Sequence, residues 1–454
     1  MPDFPFDAET HRRRRERFLQ ETGGGVAIFC ALPELVKSRD TEIRYRPDSD
    51  LFYLTGFTEP GTVAVLTPHD EEHGFTLFVR PRNPEREVWD GPRAGPEGAR
   101  ERFGATAAYP IAELDERLKG LLEPADAIFY TLGSDAAMDR RVTELLRGFR
   151  LTRPRSGKGP ADVRDPSIIL DRMRTIKEPG ELDQIRASAA IAARAHAAAM
   201  RMARPGIGEW ELEARVESTF RASGPTAGTA FPTIVGSGTN ATVLHYVDNA
   251  RRTEDGDLVL IDAGAALGLY CSDITRTFPV SGRFTPAQRE VYEVVLAAEE
   301  AAIAAIKPGA PFTDIHEAAR RVLVQGMIDF GLVTGTVDEV IEAKAHQRFF
   351  MHQTSHFLGL DVHDVGAYAT ADGSPVPLEP GMVLTVEPGL YIPAADDVPE
   401  RFRGIGIRIE DDIIVTPDGH EVITRAVPVN PDEVEALVGT EQAHTETQRH
   451  GGEG

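Results

Sequence analysis

Residues 257–280 read DLVLIDAGAALGLYCSDITRTFPV. Two apolar runs, each carrying one aspartate, flank a turn that contains Gly264 and Gly268. Leu258 to Ile261 have the bulky, uninterrupted character of a buried strand, and Asp262 ends it. A carboxylate in that position lies inside or at the rim of a core, where it must be paired or ligated. Asp273 follows 11 residues later. A hairpin would bring the two carboxylates together on facing strands. Two close aspartates cannot both ionise without a counter-charge. One such aspartate alone reads as a turn cap, and each further carboxylate in a similar setting weakens that reading.

Two more follow. Glu387 is set in MVLTVEPGLY (382–391) and Glu410 in GIRIEDDIIV (406–415). Arg408 precedes Glu410 by two residues and so shares its strand face. It could brace Asp262 or Glu410, and an ordinary surface salt bridge is the plainer alternative. Three histidines, His352, His356 and His363, crowd FFMHQTSHFLGLDVHDVG (349–366), and His245 stands alone in ATVLHYVD (241–248). A lone histidine is usually a hydrogen-bonded core residue. Three among apolar neighbours, in a chain with strand-end carboxylates, imply one ligand and acid–base or oxyanion roles for the others. Four carboxylates and one imidazole are too oxygen-rich for structural zinc. They suit a pair of hard or borderline divalent cations, roughly 3.5–4 Å apart, that activate a shared water. The four negative charges balance two dications, and a hydroxide leaves a small excess that Arg408 or the histidines offset.

Outward from this core, the chain divides. Residues 1–160 alternate short strands, such as VAIFCA (26–31) and FTLFVRP (75–81), with helical patterns, which predicts a small α/β domain. A polar stretch rich in Arg, Gly, Pro and Ser begins near 153, and residues 161–176 are read as a linker. From 177 to 439, helices come in blocks and strands in blocks, which predicts an α+β domain. Helices are expected from Pro179 to the Pro205-Gly206 stop, from Gly208-Glu209 to Gly224, from Thr285-Pro286 to Pro308, and from Thr313 to Phe330. Residues 440–454 are polar and read as a disordered tail.

Composition narrows the partners. The 454 residues are 41% hydrophobic and 27% charged, as in an ordinary globular protein. Asp and Glu outnumber Lys and Arg 72 to 49, for a formal charge of −23. That field disfavours nucleic acid and anionic membrane and attracts divalent cations. Only two cysteines, Cys30 and Cys271, are present, which fits a reducing compartment, the cytoplasm. No apolar run has the length of a signal sequence or a spanning helix. The run Arg12–Arg15 reads as a solvated helix face balanced by Glu9, Glu16 and Glu21.

The wording resembles a known family. HYVDN, DGDLVLIDAGA, YCSDITRTFPVSGRFTPAQRE, FFMHQTSHFLGLDVHDVG, LEPGMVLTVEPGLYIP and RGIGIRIEDDIIVT are similar to segments of the Xaa-Pro aminopeptidases (aminopeptidase P). These are metallopeptidases of pita-bread fold. SDLFYLTGFTEPG (49–61) extends the likeness into the first domain, which resembles the aminopeptidase P N-terminal type. The likeness is specific because five ligand contexts match in order and spacing.

The resemblance implies an α+β pita-bread catalytic domain behind a smaller α/β domain. It implies two divalent cations per subunit, with Mn²⁺ the expected metal. Asp262, Asp273, His356, Glu387 and Glu410 are the implied ligands, Asp273 and Glu410 bridging both ions. A bridging hydroxide would attack the carbonyl that precedes proline, with Glu387 moving the proton. His363, His352 and His245 would line the substrate side, and Tyr391 and Arg408 would support them. The implied substrates are peptides with proline second, and the implied assembly is a homodimer or homotetramer. Phe231 in TAGTAFPTIVGSG departs from the family pattern, which has tyrosine or another polar residue there; this bears on substrate-amine binding, not on the metal site. Trp89 in REVWDGPR is a candidate oligomer contact, with a core tryptophan the more cautious reading.

Rivals within the fold are a prolidase, restricted to dipeptides, a shorter methionine aminopeptidase, and a creatinase-like enzyme without metal ligands. A catalytically dead binding module or a metal store is the rival from another class. Intact ligands argue against the metal-free readings, and the added histidines argue against storage.

Overall fold

A computed structural model describes residues 6–441. Most of the tail expected to be disordered, residues 442–454, lies outside the described residues. Two compact units divide the chain between Met173 and Arg174.

In the first unit, six strands form one mixed sheet. Their order is Ala107–Pro110, Phe75–Val79, Val63–Leu66, Val26–Cys30, Ala127–Phe129, Asp162–Arg164. Helix Leu114–Leu122 buries Leu114, Leu118 and Leu122 at four-residue spacing. Helix Ala136–Ser156 buries Met138, Val142 and Phe149 against the same core. Asp135 caps its start by accepting from the backbone N–H groups of Ala137 and Met138, and Gly157 ends it at φ +70°.

Three expectations need correction. The linker expected at 161–176 is structured: Asp162–Arg164 is an edge strand, and Ser167–Thr175 is a helix that buries Leu170 and Met173. Its apolar Ile168, Ile169, Leu170 and Met173 carried that signal beneath the polar flanks. The run Arg12–Arg15 is not uniformly solvated. Arg12 pairs with Glu9 and Glu16, but Arg14 and Arg15 are buried, over the rings of Tyr53 and Phe75 respectively. His11, Arg14, Arg15 and Phe18 share one face of helix Ala8–Glu21, and that face is buried. Trp89 is not a core residue: it is 82% exposed, on helix Pro84–Asp90, which buries nothing.

Two large cores lie among the described residues of the second unit. One packs helices Pro179–Met202 and Glu209–Ala222 on a sheet ordered Ile234–Ser237, Leu258–Asp262, Thr275–Pro279. The other packs helices Pro286–Ala305 and Thr313–Asp329 on strands that include Val383–Val386, Gly389–Tyr391, Gly406–Arg408 and Asp411–Thr416. All four helices lie where the caps and stops predict. Thr285 forms a capping box with Gln288, and Pro179 and Pro286 occupy first-turn positions. The isolated bridge between Thr275 and Glu410 joins the strand systems of the two cores. The unit is thus α+β, as the block order implies.

Candidate metal centre and its cavity

The first two carboxylates come from one core. Asp262 ends strand Leu258–Asp262, where its cross-strand partner is Thr275 rather than Asp273. The connection folds its own small pairing, Ala265–Leu267 with Tyr270–Cys271, so Asp273 sits in the loop just before the returning strand. Gly264 permits that tight path, because a Cβ there would lie 1.8 Å from the Ser272 carbonyl oxygen. Two backbone contacts then fix Asp273. The Ala263 N–H donates to Ile274 O at 3.0 Å, and the Asp273 N–H donates to the Asp412 carboxylate at 3.0 Å.

The other three candidates come from the second core. The segment carrying His356 runs beside strand Val383–Val386. Thr385 N–H donates to His356 O at 3.0 Å, and Glu387 N–H donates to Thr354 O at 2.8 Å. Glu410 is delivered beside Thr275, whose hydroxyl donates to its Oε2 at 2.7 Å.

Ligand atoms of Asp273, His356 and Glu410 all lie within 4.8 Å of one another. His356 Nε2 stands 3.6 Å from Asp273 Oδ2 and 3.7 Å from Glu387 Oε1. Its Nδ1 lies 3.0 Å from Phe357 O, which can only accept, so the proton is on Nδ1 and the Nε2 lone pair faces the carboxylates. Asp262 lines the same cavity. Arg408 Nη2 donates to Asp262 Oδ2 at 2.7 Å, which selects Asp262 as the partner braced. Arg408 is buried, so the surface salt-bridge alternative falls away.

Charge is poorly balanced here. Burial, then Asp262, Asp412 and Glu387, hold the Asp273 carboxyl well above the usual carboxylate range. Glu410 is raised by burial and by Asp273, Glu387 and Asp262. Burial brings Glu387 up to about 7 against the pull of His356 and Arg408. Asp262 Oδ1 and Asp273 Oδ1 are buried with no hydrogen-bond partner among the described residues. Oxygen donors that are buried, unsatisfied and mutually repelling are what hard divalent cations require, so the residues present fit the implied metals.

The cavity around them is about 1170 Å³. His352, His363 and His245 line it, as expected, with Phe231, Leu244 and Val247 supplying apolar wall. His363 stands edge-on to His356, ring centroids 4.5 Å apart, and burial, followed by the neighbouring His356, lowers its pKa. A relay runs from Arg408 Nη1 to the Tyr391 hydroxyl at 2.9 Å and from that hydroxyl to His352 Nε2 at 2.8 Å. Burial, then the Arg408 charge, lowers His352 to about 4. Sequence reasoning missed one wall altogether. Asp314, His316, Glu317 and Arg320 of helix Thr313–Asp329 face the cavity. Their three- and four-residue spacing was visible, but polar residues at helical spacing more often mark a solvated face.

Comparison with known proteins agrees with this geometry. The model of metallopeptidase family M24 matches residues 183–417, and that of the aminopeptidase P N-terminal domain matches residues 11–130. The Xaa-Pro aminopeptidase of Escherichia coli K12 is 43% identical over 431 residues, covering 95% of this chain and 97% of that protein. The chain belongs to the aminopeptidase P family. Among solved members, the aminopeptidase PepP of Pseudomonas aeruginosa superposes with a TM-score of 0.92 at 43% identity, covering 97% of this chain and 99% of that one. The zinc-substituted E. coli aminopeptidase P in complex with product gives 0.91 at 42%, covering 96% and 99%. Within this family the cavity-facing carboxylates of the present chain belong to a metallopeptidase, and the prediction of a pita-bread catalytic domain behind a smaller α/β domain holds.

Proposed function

We propose that this chain is a dinuclear-metal aminopeptidase that hydrolyses the bond between an N-terminal residue and a following proline. The observation that carries the metal reading is the convergence of Asp273, His356, Glu387 and Glu410, with Asp262 beside them, at one cavity with carboxyl groups raised by burial and mutual repulsion. The proline preference rests on the family likeness.

Asp262, Asp273, His356, Glu387 and Glu410 would hold two divalent cations, Mn²⁺ on the chemistry of an oxygen-rich set. Bound there, the pair supplies an acidified water as nucleophile and polarises the substrate carbonyl. The chain's own groups do the rest. Glu387, whose carboxylate lines the same cavity beside His356, would pass the proton towards the leaving nitrogen. His363, its pKa lowered by burial, can donate a hydrogen bond to developing negative charge without adding a competing cation, while His352, whose Nδ1–H meets Gln353 O and whose Nε2 accepts the Tyr391 hydroxyl, would line the substrate side. His245, at the exposed rim, would meet the substrate near its amino end. A tertiary X-Pro amide offers no N–H, and the apolar wall of Phe231, Leu244 and Val247 demands none.

A cavity of about 1170 Å³ exceeds what a dipeptide fills, which favours peptides longer than two residues. The exposed Trp89 suits an oligomer contact, in a homodimer or homotetramer. Two free cysteines fit a cytoplasmic setting, and no helix among the described residues is long and apolar enough to cross a membrane.

The test is hydrolysis by chelated and Mn²⁺-reloaded protein. Release of the first residue from an Xaa-Pro-Yaa peptide, but not from Xaa-Ala-Yaa, is expected. Cleavage of the Xaa-Pro dipeptide alone would make the chain a prolidase. Cleavage of neither, with metal bound, would overturn the enzymatic reading.

A further inference from the structure

His245 stands on a segment with little regular structure of its own. Between strands Ile234–Ser237 and Leu258–Asp262 the chain makes one short 3-10 turn, Gly238–Thr242, and then runs without helix or strand past the histidine. His245, Val243 and Val247 are exposed, so burial of these side chains does not hold the segment in place. Its far end is tied back by buried Asn249, which accepts the Val235 N–H at 2.9 Å and donates to Thr233 O at 2.9 Å, and its second anchor is a side chain from a different element. Glu209, the first residue of helix Glu209–Ala222, is 0% exposed.

Its carboxylate accepts five hydrogen bonds, all from this segment and its two ends. Oε1 receives the Ser237 N–H and hydroxyl, each at 2.7 Å, and the Asn240 side-chain amide at 3.1 Å. Oε2 receives the Tyr246 hydroxyl at 3.0 Å and the Arg251 N–H at 2.7 Å. The Glu209 N–H closes the set by donating to Arg251 O at 2.9 Å. Tyr246 is the immediate neighbour of His245.

A buried carboxylate with five donors is well satisfied, and helix Glu209–Ala222 has no need of a glutamate there for its own cap. Glu211 already serves that purpose by reaching back to the Gly208 N–H at 2.8 Å. The rest of the second unit shows a plainer way to seat a functional side chain. His356 and Glu387 are held by backbone ladders, and the His245 segment lacks one.

We propose that Glu209 is a positioning residue: by fastening Ser237, Asn240, Tyr246 and Arg251 it fixes the 238–250 segment and so sets where His245 stands at the cavity rim. The proposal rests on the reading of His245 as a substrate-side group. It does not involve the metal ligands, none of which touches Glu209 through a hydrogen bond among the described residues.

The test uses the full, metal-loaded chain with Glu209→Gln. An amide can turn its oxygen towards only one of the two donor groups and must aim an N–H at the other. Amide hydrogen exchange across 238–250 should therefore quicken while the strands on either side stay protected, with metal content unchanged. On an Xaa-Pro-Yaa peptide, kcat/KM should fall by about 10–100-fold, as expected for a misplaced substrate contact. In a His245→Ala background the same substitution should cost less than about twofold. Tyr246→Phe removes one bond of the five and should show the same pattern at a smaller size, which keeps the test open if Glu209→Gln folds poorly.

An equal loss with and without His245 would overturn the proposal, as would unchanged exchange in the segment. If His245→Ala alone leaves kcat/KM unaltered, the reading of His245 fails. The exchange measurement, which needs no substrate, then still decides whether Glu209 holds the segment.

Discussion

Glu410 and Asp411 are adjacent in the chain and both buried, yet they meet opposite surroundings. Glu410 faces the cavity among Asp273, Glu387 and Asp262, and its carboxyl is pushed up by burial and those neighbours. Asp411 turns the other way, as alternation along a strand requires. Arg276 donates to it at 2.6 Å, the Thr424 hydroxyl at 2.6 Å, and Arg425 stands 3.1 Å off. Burial would raise Asp411, but the two arginines overcome it and hold the carboxyl below its usual range. Both clusters are rich in buried acids. They differ in counter-charge: the cavity cluster sets the one arginine Arg408, paired with Asp262, among four carboxylates, whereas Arg276 and Arg425 face Asp411 and Glu299. On the proposed reading cations complete the cavity cluster, and that difference separates a binding site from a structural ion network better than any count of carboxylates.

The sharpest break between the two comes from neutralising each neighbour in turn. Glu410→Gln should abolish peptide hydrolysis, yet leave metal-free protein about 1 kcal/mol more stable, because it relieves repulsion. Asp411→Asn should cost about 3–5 kcal/mol by leaving Arg276 buried without its anion. Thermal unfolding of both metal-free variants checks the opposite signs, and a loss of stability in Glu410→Gln would erase the distinction.

His363→Ala sharpens the boundary of the cavity cluster. It should lower kcat by about 10²-fold or more while metal content stays near that of the parent. Loss of metal in that variant would make His363 a ligand. A smaller effect concerns pH. Glu387 is raised from 4.5 to about 7 in the fold, so its contribution favours folding below 4.5 and is lost as pH rises through 7. Metal-free protein should therefore melt at lower temperature at pH 8 than at pH 6, and saturating Mn²⁺ should remove or reverse that slope. The same proton competes with the cation, so apparent metal affinity should weaken from pH 8 to pH 6.

The site was legible where a single residue contradicted its local setting. Asp262 and Glu387 are charges at the ends of apolar strands, and that expense announces use. Helix limits were equally readable, because Thr285-Pro286 and Pro179 act through neighbours in sequence. What could not be read depends on distant partners. Arg276 and Asp411 are 135 residues apart, and nothing local marks Asp411 as structural beside Glu410. Glu209 looks like a routine acidic residue in a first helical turn until the segment it holds is seen. Arg14 and Arg15 were hidden by the charge of their own run, since the surfaces that bury them lie elsewhere in the first unit. The polar wall of Asp314, Glu317 and Arg320 was hidden in the same way: helical spacing shows which residues share a face, not whether that face meets solvent or a cavity.

The most direct test of the central claim is the number of cations held per chain at saturating Mn²⁺, compared between the parent and Glu410→Gln. Two per parent chain and fewer in the variant would establish that the cavity cluster is a two-cation site. Fewer than two in the parent, or the same number in both proteins, would contradict it.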